Sequence, residues 1–279
     1  MDPLKYNKQA WNHQVESKNR WTIPVSSDEV AKAKLGDWKV VLTPSKPVPM
    51  NWFPQTNGLF KNIKILALAS GGGQQAPLFA AAGADVTVFD YSPKQLEQDK
   101  MVSNREGLKI QCVEGDMRDL SVFKNETFDF IFHPCSNSFV PDIQPVWNEA
   151  FRVLKKNGTM IAGVVNPIVY AVDPDLDQKG IAQLKYKIPY SDLTSLTNEE
   201  RKRYTDKNEP LCFGHTMEDQ LGGQMKAGFH MIDLYEDHWG ADAESAGALN
   251  NFIATFTATR SLKTEGSAST GSLIISSLI

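Results

Sequence analysis

The stretch IKILALASGGGQQAPLFAAAGADVTVFD, residues 63–90, restricts the fold more than any other part of the chain. Ile63, Ile65, Leu66 and Leu68 make a short, nearly continuous apolar run, as expected of a strand buried on both faces. Gly71, Gly72 and Gly73 then allow a sharp turn and a close backbone approach to a ligand. Residues 76–82 are rich in helix formers, with Leu78 and Phe79 for packing and Gly83 as the stop. Val86, Thr87, Val88 and Phe89 form a second strand, with Asp90 at its carboxyl end. The pattern predicts a βαβ unit with a nucleotide site where the first strand meets its helix.

The rest of the chain extends that unit. Ser92, Pro93 and Gln95 form a strong helix start, and Gly107 ends the helix. Residues 109–113, 128–133 and 159–165 are predicted as three further strands. Between the last two, residues 145–156 are amphipathic through Val146, Trp147, Ala150, Phe151 and Leu154, with Arg152, Lys155 and Lys156 expected at the negative helix end. Thr216 caps a predicted helix to residue 227, and MIDLYEDHW and FIATFTATR read as two closing strands. The order β-α-β-α-β-β-α-β implies a doubly wound, mostly parallel sheet of the α/β class.

Three segments lie outside this rhythm. Residues 1–60 form an N-terminal cap, with a short helix at 10–15, a capping box at Ser26 and Glu29, a short strand at 38–42 and a proline-rich connector. Its aromatics Tyr6, Trp11 and Trp21 either pack on the domain or close over a ligand. Residues 166–215 are a polar insertion of the kind that forms a lid or specificity loop. The main domain spans 61–260, and 261–279 is a low-complexity tail that no core position needs.

Composition excludes some partners. A net charge of −4 gives no general attraction to phosphate backbones, so nucleic acid is not expected. Three cysteines with no CxxC pair suggest reduced thiols. The absence of an apolar leader or a membrane-length run gives the expectation of a cytoplasmic protein without membrane contact.

The glycine loop alone leaves the nucleotide open. Gly71-x-Gly73-x-x-Ala76 with Asp90 fits the dinucleotide fingerprint, so an NAD-dependent oxidoreductase and a non-catalytic nucleotide-binding protein are both compatible with it. Asp116 and Met117 after the third strand, and the closing helix with two strands, favour a different ligand. Taken in order, ILALASGGG, VFDYSPKQLEQ, VEGDMRDL, FDFIF and EAFRVLKKNGTMIAG resemble the successive motifs of class I S-adenosylmethionine-dependent methyltransferases. The resemblance covers residues 63–165 and extends to about 260. It implies a Rossmann-like fold of seven strands with an antiparallel last strand, S-adenosyl-L-methionine as cofactor, and a small-molecule methyl acceptor.

Carried over by position, the resemblance places Ala69, Ser70, Gly71, Gly73 and Gln75 at the methionine part. Asp90, with Tyr91 and Gln95 after it, falls at the ribose, and Asp116 and Met117 at the adenine. His133, Pro134 and Ser136 border the cofactor and acceptor. Two positions depart from the family pattern: Ala67 stands where an acid is common, and Ala69 where a glycine is. Gln74, Gln75, Tyr6 or Trp11 are the candidates to compensate. Methyl transfer from a sulfonium is an in-line displacement that needs positioning and exclusion of water more than a nucleophile. His133 and, second, His215 are the candidate general bases if the acceptor carries a proton. No histidine has metal-ligand spacing, and no metal is expected.

Overall fold

Short runs that are apolar on both faces become the parallel strands of one central sheet. The computed structural model describes residues 2–240 and 246–266. The strands β1 (Lys64–Leu68), β2 (Asp85–Asp90), β3 (Ile110–Glu114), β4 (Phe128–His133) and β5 (Leu154–Val165) follow the expected order. Two-residue strands β6 (Tyr190–Ser191) and β7 (Phe213–Gly214) pair with each other in the insertion. The strands β8 (His230–Asp237) and β9 (Phe256–Leu262) complete a seven-stranded sheet in the order β3-β2-β1-β4-β5-β9-β8. β9 is antiparallel to both β5 and β8. The last strand is therefore the reversed one, as the resemblance implies.

The helices are α1 (Pro3–Glu16), α2 (Ser27–Ala33), α3 (Gln75–Ala81), α4 (Pro93–Glu106), α5 (Gln144–Val153), α6 (Pro174–Asp177), α7 (Asn198–Thr205) and α8 (Gly223–Ala227). The predicted cap at Ser26 forms with Glu29 as a capping box, and Thr197 closes a second one with Glu200. Ser92 accepts from the Gln95 N–H, and Gly107 ends α4 in the left-handed conformation.

The strand period of two divides the core. Ile65 and Ala67 face one layer, with Phe79, Trp38, Trp52, Phe53 and Phe60. Leu66 and Leu68 face the other, with Phe89, Trp147 and Phe151. Burying each such aromatic contributes roughly 1.5–3 kcal/mol, so the segment before β1 belongs to the core as firmly as the strands do.

Several boundaries differ from expectation. Residues 38–42 form no strand; Val41 makes only an isolated bridge to Pro47, because the nearby prolines lack donors for a ladder. The first helix is longer than 10–15 and starts at Pro3, with the Asp2 carboxylate accepting from the Leu4 and Lys5 N–H groups. α5 stops at Val153, since Leu154 already pairs with Phe128; Lys155 extends from β5 to Asp129 at 2.7 Å instead of capping the helix. The last strand begins at Phe256, leaving Phe252 exposed. The helix expected at 216–227 is split into a π turn, Glu218–Gly222, followed by α8.

The tail boundary at 261 is too early. Ser261 is buried in β9, and Lys263 donates to the Phe151 and Leu154 carbonyls at 2.9 and 2.8 Å. Residues 267–279 of the expected tail, and residues 241–245 between the two closing strands, lie outside the described residues. Among the described residues no helix is long and apolar enough to cross a membrane. No group of three or more metal-ligating side chains occurs among them either.

Candidate functional site

One cavity of about 350 Å³ lies across the carboxyl ends of β1, β2 and β4. Its first half is built by backbone. After β1 the chain turns at Ala69, whose φ of +47° is a conformation usually left to glycine. The Ala69 carbonyl accepts from Ser136 Oγ at 2.7 Å, which ties the loop to the end of β4. The Gly71 N–H donates to Asp90 Oδ2 at 2.9 Å. A Cβ at Gly71 would stand 2.7 Å from Gln95 Cβ and 3.0 Å from that carboxylate oxygen, so only glycine fits there.

Asp90 is the hub of this half. Its Oδ1 accepts from the Ser92 N–H at 2.9 Å. Burial raises its pKa, opposed by the N–H groups of Ser92, Gly71 and Tyr91. Both oxygens retain lone pairs for further donors, as a ribose diol requires. Farther along, Met117 and Gly115 line the cavity; a Cβ on Gly115 would meet Phe89 Cζ at 2.2 Å. Asp116 also lines it, yet its carboxylate is gripped by the Arg118 guanidinium, with contacts of 2.7 to 3.1 Å. That ion pair competes with the adenine contact expected of Asp116.

The second half is made by side chains from distant segments. Trp21, Pro44, Val165, Val169, Trp239 and Phe256 form an apolar wall. Trp239 meets Phe256 edge-on at 4.9 Å and lies 6.3 Å from Trp21. Tyr170 and Cys135 also line this end, and burial pushes the pKa of each far above its ordinary range.

α1 roofs the cavity. Leu4, Asn7, Lys8 and Trp11 follow i, i+3, i+4, i+7 spacing and line it together. Buried Asn7 clasps the insertion, accepting from the Leu211 N–H at 2.8 Å and donating to the Leu211 and Phe139 carbonyls, each at 2.9 Å. Ser92 Oγ donates to Asn12 Oδ1 at 2.8 Å, and Lys8 pairs with Glu114 at the end of β3.

Of the residues singled out by sequence, Trp11, Ala69, Ser70, Gly71, Gln75, Asp90, Tyr91, Gln95, Asp116, Met117, Pro134 and Ser136 line this one cavity. Four do not. Gly73 is held against Gln98 and Pro24, where a Cβ would stand 3.0 Å from each. Tyr6 donates through its hydroxyl to the Glu209 carbonyl at 3.0 Å, and so serves the insertion instead.

The two histidines are also corrected. His133 is fully buried: its Nδ1 donates to the Leu68 carbonyl at 3.0 Å, and Nε2 meets the Asn137 amide at 2.8 Å. His215 is buried as well, with Nε2 donating to the Asn137 and Val140 carbonyls, both at 3.0 Å. Burial lowers the pKa of both. Each ring is a structural tie between strand ends and loop, not a base facing the cavity.

Ala67 is buried in the core and does not line the cavity. Both expected compensating glutamines stand at the cavity: Gln74 donates to the Arg20 and Ile23 carbonyls at 3.0 Å each, and Gln75 accepts from Ser70 Oγ at 3.2 Å. Asn7, Lys8 and Gly115 escaped the sequence reading. The helical spacing of Leu4 and Trp11 carried the signal for the first two, masked by their polarity.

Comparison with known proteins agrees with this geometry. Residues 66–162 match the family described as a methyltransferase domain. The chain is 49% identical over 260 residues to YbaJ of Bacillus subtilis (strain 168), described as an uncharacterized methyltransferase, covering 93% of this chain and 98% of that one. It is 33% identical over 106 residues to a ubiquinone biosynthesis O-methyltransferase of Pelagibacter ubique (strain HTCC1062), covering 38% of this chain and 43% of the other. The fold superposes on an S-adenosylmethionine-dependent methyltransferase from Mesorhizobium loti with a TM-score of 0.56 and 17% identity, covering 72% and 91% of the two chains.

Proposed function

Because the chain belongs to the class I S-adenosylmethionine-dependent methyltransferases, we propose that it transfers a methyl group to a neutral, largely apolar small molecule. The observation that carries this reading is the continuity of the cavity, which joins the Gly71–Asp90 corner to the aromatic wall without an intervening partition. A cavity roofed by α1 suits a small acceptor better than a polymer.

S-Adenosyl-L-methionine supplies an electrophilic methyl group on a sulfonium. The residues present fit it: Asp90 has free lone pairs for a diol, Gly71 and Gly115 leave room no side chain could share, and Met117 offers an apolar surface for a ring. Trp11, Tyr91 and Phe139 bring aromatic faces that favour a cation in a dry site. Gln75 is the polar side chain available near the loop. Lys8 and Asn12 hold α1 over this end through Glu114 and Ser92, which excludes water.

The apolar wall orients the acceptor by shape. Tyr170 and Cys135 keep their protons there, so the reading assigns neither as a base. The acceptor then reacts through a lone pair already available or loses its proton to solvent. The relative named for ubiquinone biosynthesis fits an apolar acceptor of this kind.

Calorimetry with S-adenosylhomocysteine and, separately, NAD tests the proposal. Binding of the first and not the second is expected. NAD binding with no affinity for S-adenosylhomocysteine would favour an oxidoreductase instead. Tight binding without turnover across a panel of apolar phenols, thiols and amines would favour a non-catalytic nucleotide-binding protein.

A further inference from the structure

Two buried polar atoms beside the glycine loop have no hydrogen-bond partner among the described residues: Asp99 Oδ1 and Gln95 Oε1. Asp99 is wholly inaccessible to solvent, and Gln95 is 5% exposed. They stand one turn apart on α4, at positions i and i+4, which share a helix face. Both converge on Gly72. The Gly72 N–H donates to Asp99 Oδ2 at 3.0 Å and to the Gln95 main-chain carbonyl at 3.1 Å. Gln95 Oε1 lies 2.9 Å from where a Cβ on Gly72 would stand.

Two unsatisfied acceptors on one helix face against the same glycine are costly, and a single hydrogen shared between them removes both deficits. We propose that Asp99 is carried as a neutral carboxylic acid whose hydroxyl hydrogen is donated to Gln95 Oε1, and that this pair positions the glycine loop through Gly72. Asp99 is thus a positioning residue, touching the loop and not the ligand.

The electrostatics agree. Burial pushes Asp99 up to about 8, with the Asp90 carboxylate adding to the rise and the Gly72 and Gly73 N–H groups opposing it. From β3, Cys112 faces Asp99 and is itself raised to about 11, chiefly by burial; Lys100 acts on that thiol in the opposite sense. α1 contributes Lys8, engaged by Glu114, and His13. α3 has no titratable side chain. Loss of the proton leaves two acceptors opposed and a second negative charge near Asp90. The loop then loses its fixed position and the cofactor its preformed site. The effect on ligand affinity rests on the cofactor reading above, whereas the shared hydrogen does not.

Asp99→Asn separates these statements, because its amide can accept from Gly72 and donate to Gln95 at any pH. The first measurement is the melting temperature of ligand-free protein from about pH 5 to 9. A raised acid binds a proton when folded that it has lost when unfolded, so its stabilisation is complete below about pH 4 and fades as the pH rises to about 8. The advantage of D99N over the natural protein should therefore grow across this range and then level off. Parallel profiles would overturn the proposal.

The second measurement is S-adenosylhomocysteine affinity at about pH 7 and 9. The natural protein should weaken several-fold more than D99N, whose profile retains any contribution from the ligand's own amine. Asp99→Leu should lose roughly tenfold at both values, about one hydrogen bond of loop order. Equal affinity in D99N and D99L would overturn the positioning role. Diverging melting profiles without S-adenosylhomocysteine binding in any form would sustain the shared hydrogen and overturn the cofactor reading.

Discussion

The two ends of the cavity are assembled by different means. At the Gly71–Asp90 end, backbone N–H groups and missing side chains define the surface, and most contributors lie within short loops after β1, β2 and β3. At the Trp239 end, side chains from segments more than 200 residues apart meet by packing alone. Backbone geometry tolerates few residue types at each position. An apolar wall tolerates any combination that fills the volume. The first end should therefore respond to single substitutions through the cofactor, and the second through the acceptor.

The largest expected effect breaks the first end. Asp90→Ala removes the acceptor for Gly71 and for the ligand diol. At about 1.5 kcal/mol for each of two charge-assisted bonds, S-adenosylhomocysteine affinity should fall roughly 100-fold by calorimetry. An affinity within twofold of the natural protein would remove Asp90 from the ribose site. Gly115→Ala comes next: its new methyl group must displace the Phe89 ring, costing about 1–3 kcal/mol of stability in denaturant unfolding.

Trp239→Ala sharpens the contrast from the other side. It should raise the acceptor KM about tenfold, in line with a lost aromatic contact, and leave S-adenosylhomocysteine affinity within twofold. A large loss of cofactor affinity would mean that the two ends are not separable.

His133 tests the wall they share. Its folded pKa is depressed, so the unfolded chain binds the extra proton and stability is lost as the pH falls through about 6.5. The loss is at most about 1.4 kcal/mol per pH unit, and His133→Gln should remove it from the acid limb of a stability profile while leaving the pH dependence of kcat in place. A vanished kcat titration would restore His133 as a base. The smallest effect belongs to Lys8→Ala: its partly exposed pair with Glu114 contributes about 0–1 kcal/mol, so the melting temperature should hardly change.

Legibility in the sequence follows the same division. The βαβ unit, the capped helices and the reversed last strand were readable because each depends on local rules: period, caps, glycine and proline. Asp90 and Gly71 were readable for that reason too. Lys155 and Lys156 were misplaced because a tertiary pairing, Leu154 with Phe128, ended α5 early. The segment at 38–42 looked like a strand, since buried coil and buried strand share an apolar composition.

The sequence by itself determined the strand order, the glycine corner and the carboxylate at its centre, because backbone conformation there depends on near neighbours. Only the tertiary structure decided which polar groups face the cavity. It turned His133 and His215 inward as ties, gave Asp116 to Arg118, and set Asp99 and Gln95 beside Gly72. Apart from Asp116 with Arg118 and His133 with Asn137, which are near neighbours, these ties join residues 23 to 78 apart in the chain and leave no periodic trace, and burial decides what charge each group carries.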